Sequence, residues 1–241
     1  MGGLFIKRVT INWEKIPQES DLRKIQSLQG IKEIALERPV TFFCGENGTG
    51  KSTLLEAIGI AFGFNPEGGT VNYSFSTFDS HSALYQALTL SRGLSKNRWG
   101  YFLRAESFYN VATKEMEYGD IAHPSMKLHQ LSHGESFLTV LGKRLSDPGL
   151  YILDEPEGAL SPQSQLGLLV LMEEAVKAGA QFIIASHSPI LLGYPGADIF
   201  SFSQEPLKKI GYEETESYQV MEMFINNRDG VLKQLFHGFS E

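Results

Sequence analysis

Residues 45–52 read GENGTGKS, which fits G-x-x-x-x-G-K-[ST] with Gly45, Gly50, Lys51 and Ser52 in the required places. The apolar run Val40 to Cys44 precedes the motif and the helix-like run Ser52 to Phe62 follows it, so the chain must supply a strand, a tight loop and a helix in succession. Lacking side chains, the glycines let the backbone curl so that successive N–H groups face phosphate oxygens. The helix start adds a favourable dipole. The phosphate-binding set is therefore Gly45, Glu46, Asn47, Gly48, Thr49, Gly50, Lys51, Ser52 and Thr53. Lys51 is expected to reach the β- and γ-phosphates of a nucleotide, and the Ser52 hydroxyl to ligate magnesium. A fortuitous glycine-rich turn is the competing reading in a chain with 24 glycines, and the flanking strand and helix argue against it.

A length of 241 residues suits one large domain, or a core with a smaller lobe. The chain is 42% hydrophobic and 20% charged, ordinary for a globular protein with a sizeable core. Its apolar runs are too short or too mixed to span a bilayer, and MGGLFIKRVTINW lacks the apolar core of a signal peptide. The single cysteine, Cys44, reads as a small buried hydrophobe. A cytoplasmic location is the expectation. With 21 basic against 28 acidic residues the net charge is −7, and no Lys/Arg run stands out; the pairs Lys143-Arg144 and Lys208-Lys209 read as solvated surface. This balance argues against a constitutive, sequence-independent grip on nucleic acid and leaves a local basic groove open.

Leu4 to Trp13 reads as a strand, and Ile31 to Leu36 as a second that can pair with it. A short helix is expected over Ser20 to Gln29, a loop or irregular hairpin over Asn65 to Asp79, and a helix over Ala83 to Leu90. Trp99 to Leu103 reads as a strand and Ala105 to Glu117 as a helix or connector. From Leu131 the alternation is regular: helix (Ser136–Leu145), strand (Leu150–Leu153), helix (Gln163–Ala178), strand (Gln181–Ala185), a strand near Asp198 to Phe202, and two short helices between Glu213 and Phe236. Such alternation implies a parallel sheet with helices on both faces.

Three more motifs carry chemistry. Leu150 to Glu155, LYILDE, is an apolar strand ending in two acids, which it delivers to the carboxyl edge of the sheet where the phosphate loop also lies. Asp154 is placed to hold magnesium, and Glu155, one residue on, to polarise a water in line with the γ-phosphate. Leu131 to Glu135, LSHGE, opens a helix; Ser132 and Gly134 suit anion contact, while Ser132 with Glu135 also forms a capping box. His187, in Ala185 to Pro189, follows the next strand and can hydrogen-bond the γ-phosphate or the attacking water.

The order GENGTGKS, LSHGE, LDEPEGALSP, SHSP resembles the ATP-binding-cassette superfamily, and its details look most like the small stand-alone bacterial ATPases of the ABC or AAA type. RAESF (Arg104 to Phe108), DEPEGALSP (Asp154 to Pro162) and ASHSPILL (Ala185 to Leu192) carry that likeness. The resemblance implies an α/β P-loop NTPase fold of the ABC-ATPase type. Its parts would be a mainly parallel central sheet, an N-terminal antiparallel β portion and a small helical lobe with the signature motif. All 241 residues would form one domain, with the lobe at about 80–147. The cofactors implied are ATP and Mg2+, with Ser52 and Asp154 at the metal and Glu155 and His187 catalytic. Each ATP would lie between the phosphate loop of one protomer and Ser132 and Gly134 of a second copy, so that ATP drives homodimer formation.

Several positions depart from the pattern. His133 stands where glycine is commoner, Glu135 where transporters carry glutamine, and Ser161 ends the D-loop in place of aspartate. No glutamine loop is evident; either Arg104 or Glu106 replaces it, or the two simply serve a surface ion pair. Trp13 is the candidate for adenine stacking, with core packing the alternative. Two functions follow. The first is an ATPase whose ATP-driven dimerisation is coupled to an unknown protein partner or a nucleic-acid process. The second is the nucleotide-binding subunit of a membrane transporter. The missing glutamine loop and the Glu-type signature favour the first. A nucleotide-gated switch without turnover is disfavoured by Glu155 and His187, and Phe62 to Leu131 is too short for long coiled-coil arms.

Overall fold

Strand β3 (Val40–Cys44) is buried at all five positions, as are β7 (Leu150–Asp154) and β8 (Gln181–Ala185). Continuous apolar strands of this kind need cover on both faces, which a parallel sheet between helices provides. The computed structural model describes residues 3–66, 68–70, 82–93, 99–104, 138–139, 141–143, 145, 148–202 and 207–238.

Among the described residues, seven strands form the main sheet in the order β10-β9-β3-β8-β7-β6-β4. The five inner ones, β9 (Asp198–Ser201), β3, β8, β7 and β6 (Gly100–Arg104), run parallel. The edges β4 (Gly69–Thr70) and β10 (Lys208–Ile210) pair antiparallel. A second sheet, β2-β1-β5, is antiparallel and made of β1 (Ile6–Ile11), β2 (Glu33–Ala35) and β5 (Leu88–Arg92). The expected fold class, mainly parallel with an N-terminal antiparallel portion, is the observed one.

Alternate side chains of the central strands enter two cores. Phe43, Ile152 and Ile183 pack with helix α1 (Lys51–Phe62) and the antiparallel sheet. Phe42, Tyr151, Leu153 and Ile184 pack on the other face with Leu168 and Met172 of α3 (Pro162–Ala178). Gln181, 1% exposed, joins the sheets. Its Oε1 accepts from Phe5 N at 2.8 Å and Ile6 N at 2.9 Å, and its Nε2 donates to Ile6 O at 2.8 Å. A buried amide with three good partners orients the β1 edge without leaving an unsatisfied group.

Two local expectations are corrected. Ala83 to Leu90 is one helical turn, α2 (Leu84–Ala87), and then β5, because β1 offers an open edge that Leu88 to Arg92 fills. Ser20 to Gln29 holds only a 3-10 turn, Asp21–Lys24, which gives way to extended Ile25. Residues 88–92 and 100–104 thus supply one strand to each sheet. Of the helix expected over Ser136 to Leu145, residues 138–139 and 141–143 are helical. The segments 71–81 and 105–137, which include the connector at Ala105 to Glu117 and Ser132, Gly134 and Glu106, lie outside the described residues.

Short helix α4 (Pro189–Leu192) follows β8, and α5 (Glu216–Asn226) and α6 (Arg228–His237) end the described chain. Tyr212 anchors this hairpin, with its hydroxyl donating to Pro189 O at 2.9 Å and its ring edge-on to Tyr218. No described helix is long and apolar enough to cross a membrane.

Candidate functional site at the carboxyl edge

Parallel register gathers the motifs. Phe43 stands beside Ala185, and Asp154 beside both Ala185 and Arg104. The phosphate loop, the acidic pair and the histidine segment therefore leave the sheet at the same edge, though they are spread over more than half the sequence.

The loop is shaped by Gly45 (φ 135°), Gly48 (φ 80°) and Gly50 (φ 90°). A Cβ on residue 45 would sit 2.6 Å from Phe202 O, and one on residue 50 would sit 2.8 Å from Ile25 Cγ2. Sterics as well as dihedrals thus demand glycine at both places. The Ser27 hydroxyl donates to Thr49 O, so the irregular segment after β1 braces the loop from behind.

Lys51 is 3% exposed, and its Nζ donates to Gly45 O and Glu46 O, each at 2.7 Å. Burial lowers its pKa, while the carboxylates of Glu155 and Asp154 oppose that shift by favouring the charged form. Two of three ammonium donors face the loop's own carbonyls, which centres the charge where a phosphate group would sit. Ser52 Oγ donates to Asp154 Oδ1 at 2.9 Å, although 102 residues separate them. Adjacent ligands of an octahedral Mg2+ with ~2.0–2.1 Å bonds are about 2.9 Å apart, so these hard oxygens fit that ion. Among the described residues no three His, Cys, Asp or Glu side chains cluster to hold a metal, so water and phosphate would complete its shell.

Glu155 is the one described non-glycine residue with positive φ, at φ 49° and ψ 53°. Its N–H donates to Ala185 O at 2.9 Å, which holds the backbone in that turn. Its side chain is 40% exposed, and Oε1 lies 3.3 Å from Nε2 of His187. That nitrogen is buried and lacks hydrogen-bond geometry to any partner among the described residues. The two groups are neighbours that face one small space without being bonded to each other. A cavity of about 570 Å3 adjoins it, lined by Gly45, Glu46, Thr49, His187, Glu216 and Val220 among others.

Arg104 ends β6 and donates to Glu56 Oε2 at 2.8 Å. Glu56 also accepts from Ser82 N at 3.3 Å. The pair is 27% and 11% exposed, so it is an internal brace between β6 and α1 rather than the surface pair considered above. Trp13 lies in a 3-10 turn, with its indole N–H donating to Ile31 O at 2.8 Å and the Arg23 guanidinium 5.9 Å from the ring centroid. Cys44 is buried, as expected, and burial raises its thiol pKa to about 11. Lys208 and Lys209 are exposed, as expected, and Lys209 also pairs with Asp198 at 2.8 Å and Glu37 at 3.5 Å. Glu157 escaped the sequence reading despite standing in DEPEG. An acid just past a buried strand end, able to reach the unpaired N–H groups of the neighbouring strand, was the available signal.

Two family models, each described as an AAA domain and the second also by reference to the AbiEii toxin of a type IV toxin–antitoxin system, match residues 21–107 and 124–193. The ABC transporter ATP-binding protein YthP of Bacillus subtilis is 27% identical over 146 residues, which is 59% of this chain and 62% of that protein. The L-arabinose transport ATP-binding protein AraG of Geobacillus stearothermophilus is 27% identical over 184 residues, 68% of this chain and 36% of that one. The chain therefore spans under two thirds of the length of these relatives. Among solved structures, the SMC head domain from Thermotoga maritima aligns with TM-score 0.50 at 14% identity, covering 86% of this chain and all of that one. CbiO1 from Clostridium perfringens, part of an ABC transporter complex, aligns with TM-score 0.50 at 20% identity over 97% of this chain and 99% of that one. These two show the shared fold, and together with the family models and the ATP-binding relatives they support an ABC-type ATPase superfamily member.

Proposed function

We propose that this protein hydrolyses ATP to ADP and phosphate and works through ATP-driven association of two copies in the cytoplasm. The observation that carries this reading is the convergence of Lys51, Ser52, Asp154, Glu155 and His187 at one sheet edge. Backbone N–H groups of residues 45–50 and the Lys51 ammonium bind and orient the phosphates. Ser52 and Asp154 would hold Mg2+, which would supply charge neutralisation at the phosphate oxygens. Glu155 would take the proton of the attacking water, a role supported by its partly exposed carboxylate beside His187. His187 donates to the γ-phosphate or steadies that water. Ser132 and Gly134 complete the site from the second copy, and Trp13 is a candidate base-stacking ring.

Dimerisation is tested with Glu155→Gln, which should bind ATP, fail to turn it over and accumulate as a dimer by light scattering. A monomer throughout, with ATP bound, would sink the association. The names of YthP and AraG support a second reading, a subunit of a membrane transporter. Material captured by the Glu155→Gln trap from native cells separates the two: membrane subunits favour the transporter, and a nuclease, toxin or DNA favours the stand-alone ATPase.

A further inference from the structure

Glu157 lies in the 3-10 turn Pro156–Ala159 and has no part in the reaction as described so far. Its Oε1 accepts three hydrogen bonds from the end of β8: Ser186 Oγ at 2.9 Å, His187 N at 2.5 Å and Ser188 N at 3.2 Å. The His187 amide bond is short, as charge-assisted bonds are. Oε2 is buried without a hydrogen-bond partner among the described residues, so the whole grip acts through one oxygen. Ser188, 7% exposed, extends the connection. Its hydroxyl donates to Gln165 Oε1 at 2.5 Å and accepts from Ile190 N and Leu191 N, while Gln165 Nε2 donates to Leu160 O at 3.2 Å. The turn after Glu155 and the loop holding His187 are thereby tied into one unit.

We propose that Glu157 is a positioning residue: its carboxylate pins the backbone of His187 and so sets where the imidazole stands relative to Glu155. The inference rests on the proposed ATP hydrolysis, in which both residues act. The two loops leave adjacent parallel strands, and beyond Asp154 and Ala185 the ladder no longer aligns them. The Glu155 N–H to Ala185 O bond holds one side of this junction, and Glu157 holds the other. Removing the carboxylate takes the acceptor from the His187 amide and leaves Ser188 N with only Ser186 Oγ at 3.1 Å among the described residues, so the loop must shift to satisfy them. A displacement of about 1 Å in a reacting constellation is enough to cost ~100-fold in rate.

The test compares wild type, Glu157→Ala, Glu157→Gln, His187→Ala and the Glu157→Ala/His187→Ala double variant. Three quantities are read: ATP turnover, affinity for a fluorescent ATP analogue, and backbone amide exchange at 186–188 in the nucleotide-free protein. Glu157→Ala should lower kcat roughly 10- to 100-fold with analogue affinity within about threefold. Glu157→Gln, which keeps one acceptor oxygen, should fall between it and wild type, and the double variant should be no slower than His187→Ala. The His187 and Ser188 amides should exchange at least ~10-fold faster in Glu157→Ala. Turnover within twofold of wild type in both Glu157 variants overturns the proposal, as do multiplying losses in the double variant or unchanged exchange. A wild-type protein that binds the analogue without turnover overturns the hydrolysis reading instead, and the amide exchange then still decides whether Glu157 holds the loop. If Glu157→Ala does not fold, Glu157→Gln supplies the same comparisons.

Discussion

His187 Nε2 and Glu155 Oε1 stand 3.3 Å apart, yet the two residues follow different strands, β8 and β7. Parallel pairing of Asp154 with Ala185 brings their loops level, and the positive φ of Glu155 turns its side chain into the shared space. The geometry of this candidate site is therefore a property of the sheet edge, maintained by backbone register.

Strain at Glu155 has a measurable signature. A Cβ in the αL region costs about 1–2 kcal/mol, which glycine avoids. Glu155→Gly should therefore be about 1 kcal/mol more stable to urea than Glu155→Ala, the reverse of the order in ordinary secondary structure. Both variants should lose turnover. An Ala variant as stable as the Gly variant would contradict the strained backbone.

Removing the Lys51 ammonium should abolish ATP binding. Calorimetry on Lys51→Ala is expected to show no heat of binding at concentrations that saturate wild type. Since Lys51 is buried, loss of its packing against the loop should also lower the melting temperature. Undiminished affinity would sink the phosphate-loop assignment.

Gly45→Ala should be destabilising by roughly 2 kcal/mol or more, because its Cβ would meet Phe202 O at 2.6 Å and its φ is 135°. Denaturant unfolding checks the stability, and nucleotide titration should show weakened binding as the loop shifts away from β9.

Cys44 should resist thiol reagents while the fold is intact. Burial is the first cause of its raised pKa, with Lys51 opposing, and the value of about 11 leaves it protonated at pH 8. Labelling should accelerate only as pH approaches 11 or when the protein is unfolded. The folded pKa lies above the ordinary thiol value, so loss of the proton disfavours the native state: stability falls with rising pH above about 9. Fast labelling at pH 8 in the native protein would contradict the buried thiol.

Breaking the Arg104–Glu56 pair should cost ~1–3 kcal/mol, because Arg104→Ala leaves a mostly buried carboxylate with only the Ser82 N–H among the described residues. The Arg104→Ala/Glu56→Gln variant should recover part of that loss. Full additivity in this cycle, read by urea unfolding, would show that the two residues do not interact.

Elements with strong local signals were legible. Val40 to Cys44, Leu150 to Asp154 and Gln181 to Ala185 are apolar apart from Thr41, Asp154 and Gln181, and each is the buried strand its pattern implies. Ala83 to Leu90 was not, because its helical appearance lost to pairing with β1, a partner some 80 residues away. Edge strand β10 was equally hidden: Lys208 to Ile210 carries two lysines, and only antiparallel pairing with β9 makes it a strand. The role of Arg104 depended on Glu56, a residue on a different element. Glu157 became visible once Ser186, His187 and Ser188 were placed beside it.

Local residue order specifies the chemical groups and the short-range geometry that presents them: glycines where φ is positive, an ammonium after the loop, and acids at the end of an apolar strand. Those features act over a few residues, where backbone sterics and side-chain periodicity rule. Tertiary structure alone decided that β8 lies between β3 and β7. That order follows from covering both faces of the buried strands and from the handed crossovers that join them, and no local stretch encodes it. It is this placement that puts Asp154 against Ser52, His187 beside Glu155 and Glu157 under the His187 backbone.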